Sequence, residues 1–432
     1  MPVSAETALR RHHGHAMLIG QTRHRQNMAK FPTDPGQDSY DVVIIGGAIM
    51  GSSLAWHLST SPDFDGSVLV VERDPSYAAC STAHTNSCIR QQFGNALNIR
   101  ISQYTAEILR DFRAHLGGDD RVPDQHIQSF GYLYLAGDEA GADRLRRAHA
   151  VQQECGVPSR LLTPDEIAEA YPFYALDDVI LGSHNARDEG YWDGGAVFEW
   201  FRRKAQDNGA EFIAGEVAGL EKDRSGSRVE AVQLSSGERI ACGVVVNAAG
   251  PRAARVAGMI GRDIPVEPRK RFSWVFKAEQ PLSGELPLTI DTSGVHVRQD
   301  GPDTYLAGGH LADDPAAEPD DFEMDPDFWM DVAWPAIATR IPQFEAIRVI
   351  NEWAGHYAFN TFDQNAIVGP DPEVSNFLYM NGFSGHGLQQ APAMGRGLAE
   401  WITSGAYQTF DLGPFHLDRV LRGERFGESA II

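Results

Sequence analysis

The sequence contains few cysteines and no long apolar run. Four cysteines show neither a CxxC pair nor metal-ligand spacing, which excludes a disulfide framework and a zinc site. A reducing compartment fits this composition best. No apolar stretch approaches the roughly 18 residues of a transmembrane helix, so no membrane span is predicted. The four positions are Cys80, Cys88, Cys155 and Cys242.

Positive charge is also scarce. The chain has 37 lysine and arginine residues against 59 aspartate and glutamate residues, which gives a net charge of -22. Nucleic acids and anionic membranes repel a protein of this charge, so neither is an expected partner. At 432 residues the chain exceeds one ordinary domain, and the length predicts two.

Near the N-terminus an apolar run ends in a glycine-rich turn. Residues 41–45 predict a strand buried on both faces, Gly46 permits a tight turn, and Gly51 lets the next helix pack closely on the sheet. Glu72 ends the following apolar run, where an acidic residue accepts hydrogen bonds from a ribose. Ala48 replaces the usual middle glycine, which narrows the approach to phosphate slightly. The pattern predicts a dinucleotide with its pyrophosphate at the helix N-terminus.

Two later segments also combine a strand with small residues. Residues 244–250 end a predicted strand with Ala-Ala-Gly, which lets the chain pass close to a nucleotide. Residues 379–389 join a glycine-rich turn to a predicted helix, whose free N–H groups suit negative charge on a reduced ring. A nicotinamide enzyme needs no second glycine-rich turn near its C-terminus, whereas a flavin enzyme does. The predicted cofactor is therefore a flavin nucleotide.

Periodicity and turn residues predict further elements. Apolar positions from Ile101 to Leu116 recur at helical spacing, and Gly117-Gly118 is the predicted stop. Residues 129–135 predict a strand, and residues 229–234 predict one arm of a hairpin. Residues 313–326 are rich in proline and aspartate and predict an exposed loop.

Three motifs resemble those of the D-amino acid oxidase superfamily, especially its sarcosine oxidase and dimethylglycine dehydrogenase branch. They are Gly-Gly-Ala-Ile-Met-Gly at 46–51, Val-Val-Asn-Ala-Ala-Gly at 245–250 and Gly-Phe-Ser-Gly-His-Gly at 382–387. Segments 267–271 and 360–365 are similar to the group of FAD-dependent oxidoreductase domain-containing protein 1, which includes a mitochondrial respiratory complex I assembly factor. The resemblance implies an α/β fold, in which a Rossmann-like FAD-binding domain carries an inserted α+β substrate domain with a mixed sheet. It also implies oxidation of a carbon–nitrogen single bond by hydride transfer to FAD.

The resemblance also implies domain boundaries. The FAD-binding domain is expected over residues 38–127, 188–264 and 354–432, and the substrate domain over residues 128–187 and 265–353. Residues 1–37 are predicted to be a disordered extension; since this arm is basic and poor in acids, a targeting peptide is the alternative. The predicted location is the cytoplasm, with the mitochondrial matrix as the alternative if the arm directs import.

The expected FAD contacts come from these motifs and their surroundings. His84 lies in a Ser-Thr-x-His context similar to that of the dimethylglycine dehydrogenase histidine that bonds covalently to flavin, and an ordinary non-bonded histidine is the alternative. No metal ligand is predicted. The cofactor-binding set is Gly46, Gly47, Ala48, Met50, Gly51, Glu72, Arg73, Ser81, Thr82, His84, Val217, Ala249, Gly250, Gly382, Gly385, His386, Gly387, Leu388 and Gln389.

Three residues are expected to act on the substrate. Arg90 is similar in position to the sarcosine oxidase arginine that grips the substrate carboxylate, since a guanidinium makes two parallel charge-assisted bonds. The alternative for Arg90 is a structural ion pair. Tyr357 is expected to place the substrate, and His386 to lie beside the flavin. Other candidates around the ring are His296, Arg298, His310 and His356, whereas Trp353 is predicted to lie in the core.

Several departures separate the chain from sarcosine oxidases. Gly355 and His356 occupy the region of their flavin-bonded cysteine, and Gln389 stands where a second carboxylate-binding lysine is expected. Leu306 is aligned with the lysine that helps oxygen accept electrons, which predicts a dehydrogenase. The expected partners are a small amine or amino acid substrate and an electron acceptor, either a quinone, an electron-transfer flavoprotein or O2. The alternatives are an O2-using amino acid oxidase and a non-catalytic, FAD-binding assembly factor.

Overall fold

The computed structural model describes residues 31–428, in which helices flank two large β-sheets. The predicted α/β class with a second, mixed sheet is confirmed. Within this range, no helix combines the length and the apolar character that crossing a bilayer requires.

The first sheet has eight strands among the described residues, and its centre is parallel. Ile45 and Asn247, at the carboxyl ends of two neighbouring strands, lie side by side. The loops after these strands therefore meet at the sheet edge where α/β folds bind ligands. Six strands follow one another across the sheet in the order Ile367–Pro370, Phe377–Asn381, Arg239–Asn247, Ser39–Ile45, Val68–Glu72 and Glu211–Ala214. Strand Val229–Leu234 also pairs with Arg239–Asn247, and strand Val217–Lys222 pairs with Val229–Leu234.

Alternate side chains of strand Ser39–Ile45 enter two different cores. Val42 and Ile44 face a core shared with the long helices. Val43 and Ile45 face a core shared with the antiparallel strands and helix Ala253–Gly258. Burial on both faces explains why this strand is a continuous apolar run.

Glycine shapes the turn after this strand as predicted. Gly46 has a φ of 102°, which favours glycine. A Cβ on Gly51 would lie 1.9 Å from the carbonyl oxygen of Gly46, so only glycine fits where the helix meets the turn.

The second sheet is also eight-stranded in the part of the chain that is described, and it is mostly antiparallel. Its one parallel pair among these strands joins Tyr132–Ala136 to Leu288–Ile290. In sheet order the strands are Ile347–Asn360, Val266–Ala278, Thr304–Gly309, His296–Gln299, Leu288–Ile290, Tyr132–Ala136, Leu181–Asn185 and Arg160–Leu162. A short two-stranded sheet pairs Cys88–Ile89 with Gly190–Tyr191.

Helices connect the strands and cover the first sheet. Helix Gly387–Ser404 crosses helix Ile49–Thr60 in close contact, since the hydroxyl of Ser53 donates to the carbonyl of Ala391 at 2.8 Å. The α-helices of the described residues are Ile49–Thr60, Ala96–Arg110, Phe112–His115, Glu139–Glu154, Pro164–Ala170, Gly194–Asp207, Ala253–Gly258, Pro326–Phe328, Trp334–Arg340, Gly387–Ser404 and Asp418–Leu421.

Two predicted elements have different bounds. The helix predicted from Ile101 begins at Ala96 and is interrupted at Asp111, whose side chain caps the short helix that follows. The cap competes with continuation of the first helix, so local hydrogen bonding overrides apolar periodicity there. The strand predicted over residues 129–135 spans Tyr132–Ala136.

The structure also differs from two predicted boundaries. Strand Ile347–Asn360 runs through the boundary placed between residues 353 and 354, because it stays paired with the second sheet as far as Val266 opposite Asn360. In the extension predicted over residues 1–37, residues 1–30 lie outside the described part. Phe31 is buried against Phe212, with ring centroids 5.7 Å apart, so the end of this segment packs on the fold.

Candidate active site

A single open cleft connects the glycine turn after strand Ser39–Ile45 with the start of helix Gly387–Ser404. Most of the predicted site residues line it. They are Gly46, Ala48, Met50, Glu72, Arg73, Ser81, Thr82, His84, Arg90, Val217, Ala249, Gly250, Tyr357, Gly385, His386, Gly387, Leu388 and Gln389.

Both helix N-termini at the cleft suit an anionic ligand. Ala48 and His386, the N-cap residues, make no side-chain cap, and neither helix has an acidic residue in its first turn. Their first N–H groups and positive dipole ends therefore lack a competing carboxylate. A ligand with a pyrophosphate at one end and an electron-accepting ring at the other fits this arrangement.

The buried carboxylate of Glu72 is fixed at the end of its strand. Its Oε2 accepts a hydrogen bond from the backbone N–H of Gly47 at 2.8 Å, and its Oε1 accepts one from the backbone N–H of Asp74 at 2.8 Å. Burial raises the pKa of this carboxyl. Glu72 therefore lines the cleft as a fixed hydrogen-bond acceptor, and its contact with a ribose stays a prediction.

Three predicted cofactor residues do not line the cleft. Gly47 lies beside Glu72, and Gly51 lets the helix approach the turn. Gly382 has a φ of 67°, and a Cβ there would lie 3.3 Å from the Cβ of Asn360. These glycines shape the backbone around the cleft.

Arg90 and His386 meet at the inner end of the cleft. Arg90 is 5% exposed, its Nη2 lies 3.1 Å from Nε2 of His386, and its Cζ lies 4.5 Å from the ring centre of Phe93. The side-chain oxygen of Gln389 accepts a hydrogen bond from the backbone N–H of Arg90 at 2.9 Å. Gln389 therefore holds the chain that carries Arg90.

Tyr357 joins this group from the second sheet. A Cβ on Gly385, whose φ is 94°, would lie 2.4 Å from Cε2 of Tyr357. Gly385 directly precedes His386, so Tyr357, His386 and Arg90 form one wall. The structure therefore brings together the three residues predicted to act on the substrate.

The comparisons with known proteins agree with this geometry. The profile of a family described as "DAO: FAD dependent oxidoreductase" matches residues 41–401. The chain belongs to the DAO family of FAD-dependent oxidoreductases. The match covers both sheets, including the turn at Gly46 and the start of the last long helix.

Relatives within the DAO family include whole-length matches. The chain is 36% identical over 428 residues to FAD-dependent oxidoreductase domain-containing protein 1 of Bos taurus, covering 91% of this chain and 87% of the relative. It is 25% identical to mitochondrial sarcosine dehydrogenase of Mus musculus, covering 89% of this chain but 42% of that one. The crystal structure of L-proline dehydrogenase from P. horikoshii matches with a TM-score of 0.76 and 26% identity, over 91% of this chain and all of that one. The predicted resemblance is confirmed.

His84 lies at the end of the 3-10 helix Ser81–His84. Its Nδ1 is 3.1 Å from the carbonyl oxygen of Cys80, and its ring stacks on Phe322 at 4.8 Å. Phe322 belongs to the segment 313–326, which was predicted to be an exposed loop. Although several of its residues are exposed, this loop packs on two histidines that line the cleft, since the ring of Phe322 also lies 4.6 Å from the ring of His356.

Among the additional ring candidates, His296 and His356 line the cleft, whereas Arg298 and His310 do not. Burial lowers the pKa of His296 to about 3, so its imidazole is neutral. Nε2 of His296 lies 3.1 Å from Nδ2 of Asn86. Arg298 is fully buried and pairs with Asp300 at 3.0 Å, which makes it a structural ion pair.

Two sequence interpretations need correction. Leu306 is buried in strand Thr304–Gly309 and does not line the cleft, so its identity says nothing about charge beside the ring. Trp353 was assigned to the core, yet it is half-buried, and its indole N–H donates to the carbonyl of His84 at 3.1 Å. The prediction drawn from Leu306 has no support in the structure, because no residue of its strand lines the cleft.

Two charged residues of this DAO-family site were not predicted from the sequence. Arg271 lines the cleft from strand Val266–Ala278. Glu189 is fully buried, and its carboxylate accepts hydrogen bonds from the backbone of Gln91 and Gln92, the two residues that follow Arg90. Arg271 ends the charged run 267–271, directly before the apolar part of its strand, and this position was the available signal; Glu189 follows a polar turn and had none.

Proposed function

We propose that the protein is an FAD-dependent dehydrogenase that oxidises the carbon–nitrogen bond of a secondary amine or of an N-substituted or D-amino acid. The observation that carries this proposal is the continuity of the cleft from the uncapped helix at Ala48 to the wall formed by Arg90, His386 and Tyr357. The family supplies the cofactor type, and the chemistry at this wall suggests the substrate class.

FAD would be held along the whole cleft. The N-terminus of helix Ile49–Thr60 suits its pyrophosphate, Glu72 its ribose, and the N-terminus of helix Gly387–Ser404 the electron-rich edge of its ring. When bound, FAD supplies an acceptor for the hydride removed from the carbon beside the amine nitrogen.

Arg90 is the expected partner of a substrate carboxylate. Its guanidinium is buried beside the rings of Phe93 and Tyr132, where a charge-assisted bond is stronger than in water. Tyr357 and His386 then limit the positions of the amine. Since burial lowers the pKa of His296 to about 3, its imidazole is a weak base, and the chemistry proposed for the chain is orientation of the substrate and exclusion of water.

Electron transfer to a carrier is favoured over direct use of O2. No lysine is among the described residues that line the cleft, and the charge of Arg271 is paired with Asp314 at 2.7 Å. An unpaired cation near the ring would stabilise superoxide. A quinone or an electron-transfer flavoprotein is therefore the proposed acceptor.

The test is an anaerobic titration of the purified FAD complex with N-methyl amino acids, other N-substituted amino acids and D-amino acids. The expected result is bleaching of the flavin by one of these classes, followed by slow reoxidation in air and fast reoxidation by a quinone analogue. Hydrogen peroxide release at the turnover rate would identify an oxidase instead. If no compound bleaches the flavin while a protein partner co-purifies, the non-catalytic alternative holds.

A further inference from the structure

Arg271 is a second buried guanidinium in the cleft. It lies on strand Val266–Ala278, opposite Gly355 of the neighbouring strand, and is 9% exposed. It therefore enters the cleft from the second sheet, whereas Arg90 follows the short strand Cys88–Ile89. A buried cation is costly unless a negative group faces it.

Asp314 is the negative group that faces Arg271. Its carboxylate accepts two hydrogen bonds, from Nη1 at 2.7 Å and from Nη2 at 3.2 Å. This is the two-pronged geometry by which arginine binds a carboxylate ligand. Nε of Arg271 is buried and has no hydrogen-bond partner among the described residues, so Asp314 leaves one donor of the fork unused.

Asp314 is held by a loop, whereas Arg271 belongs to the sheet. The loop reaches the FAD-binding side through Asp320, which pairs with Arg73 and with Arg252. The loop is also joined to the strand of Arg271, since the backbone N–H of Ala317 donates to the carbonyl of Pro268 at 2.9 Å. Displacement of the Asp314 carboxylate therefore needs only rotation of its side chain and leaves the strand in place. A carboxylate from a ligand would find the fork already positioned by the strand.

A chain of contacts connects the two guanidinium groups. Cζ of Arg271 lies 4.5 Å from the ring centre of Tyr357, and Tyr357 packs on Gly385. The next residue is His386, which contacts Arg90 at 3.1 Å. The two cations therefore lie at opposite ends of the wall assigned to substrate placement.

We propose that Arg271 is a second anion-binding residue and that the substrate is an amine with two acidic groups, one held by Arg90 and the other by Arg271. The carboxylate of Asp314 pairs with Arg271 until the second acidic group of the ligand replaces it. This inference rests on the proposed function and deepens it, because it narrows the substrate class to N-carboxyalkyl amino acids and compounds of the same charge.

The test measures the binding of matched ligands to the FAD complex. N-(carboxymethyl)glycine, N-(2-carboxyethyl)glycine and N-(3-carboxypropyl)glycine are compared with the amides that replace the second carboxylate and leave the shape unchanged. Dissociation constants come from the shift of the flavin spectrum under anaerobic conditions. At one chain length the diacid is expected to bind about tenfold tighter than its amide, as one charge-assisted hydrogen bond allows.

Variants of Arg271 and of Asp314 should change the preference for the diacid over its amide in opposite directions. Arg271→Gln is expected to abolish it, and Asp314→Asn is expected to increase it because the competing carboxylate is gone. The double variant R271Q/D314N removes both charges of the pair, so it replaces R271Q in the test if that variant folds poorly. It should also bind the diacid and the amide equally. Lys277→Gln removes a paired cation on the same strand outside the cleft and should leave the preference unchanged.

The outcomes separate this inference from the proposed function. Equal affinities for diacids and amides in the wild type, or a preference that survives R271Q/D314N, would overturn the second anion site while leaving flavin bleaching intact. Diacids that bind preferentially but never bleach the flavin would support the anion site and contradict the diacid as substrate. If no ligand shifts the spectrum, the second anion site is wrong, and the titration with N-methyl and D-amino acids alone decides the proposed function.

Discussion

Oε1 of Glu189 lies 2.7 Å from the backbone nitrogen of Gln91, the residue that follows Arg90. The same oxygen accepts a hydrogen bond from the backbone of Gln92 at 3.0 Å, and Oε2 accepts one from the side chain of Gln92 at 2.9 Å. Glu189 is fully buried. One carboxylate therefore fixes the backbone from which the guanidinium of Arg90 projects.

Replacing Glu189 by Gln should weaken the binding of carboxylated ligands. The amide keeps one oxygen acceptor but presents an N–H group to the side chain of Gln92, so the support of Arg90 loosens. Loss of a hydrogen bond to a charged group contributes roughly 1.5–3 kcal/mol, and the expected dissociation constant rises about tenfold. FAD content should not change. Glu279→Gln, at an exposed position, is the control, and an equal effect of both variants would contradict the assigned role of Glu189.

Stability should depend on pH through the same residue. Burial raises the pKa of Glu189 to about 7, although hydrogen bonds from Gln92 and Asn185 and the charge of Arg90 act in the opposite direction. In the unfolded chain this carboxyl titrates near 4.5, so the folded state binds more protons between these values. The contribution of Glu189 to the free energy of unfolding therefore falls as pH rises from 4.5 to 7, by at most about 1.4 kcal/mol per pH unit.

Denaturant unfolding at pH 5, 6 and 7 measures this contribution. The difference in unfolding free energy between wild type and E189Q should change across the three values, with the wild type losing stability relative to the variant as pH rises. Parallel curves for the two proteins would show that Glu189 does not titrate in this window.

The features predicted best from the sequence are those fixed by local backbone geometry. The turn at Gly46 requires a positive φ, and the close contact at Gly51 excludes any side chain, so both leave a visible mark in the sequence. Arg90, Tyr357 and His386 could be named one by one from the resemblance. Their assembly into one wall required the fold, because they come from three distant segments.

Contacts made by polar loops could not be predicted in this way. The segment 313–326 has neither apolar periodicity nor a regular element, yet Asp314 binds Arg271 and Phe322 covers His84. The orientation of this loop depends on cations supplied by both sheets. Leu306 shows the same limit, since its whole strand lies away from the cleft, and the sequence alone does not reveal where a strand of the second sheet lies.

Gly385→Ala should lower both stability and FAD affinity. The new Cβ would lie 2.4 Å from the ring of Tyr357 at a φ of 94°. Gly405→Ala is a matched control, because Gly405 also has a positive φ, of 72°, but nothing lies within 4 Å of its added Cβ. The control should lose about 1 kcal/mol from backbone strain alone. G385A should lose more unfolding free energy than the control and should retain less flavin after gel filtration. Equal losses in the two variants would show that the structure accommodates the added methyl group beside Tyr357.

The resemblance makes His84 the candidate for covalent attachment of FAD, with a non-bonded histidine as the alternative. Its Nδ1 lies 3.1 Å from the carbonyl of Cys80, so Nδ1 carries the proton and the lone pair resides on Nε2, the form that a nucleophilic nitrogen needs. After denaturation and precipitation, yellow colour should remain with wild-type protein and should be released from His84→Ala. His356→Ala, which also removes a histidine in contact with Phe322, should retain the colour. Complete release from the wild type would show that the flavin is bound without a covalent link, because a bonded flavin survives loss of the fold.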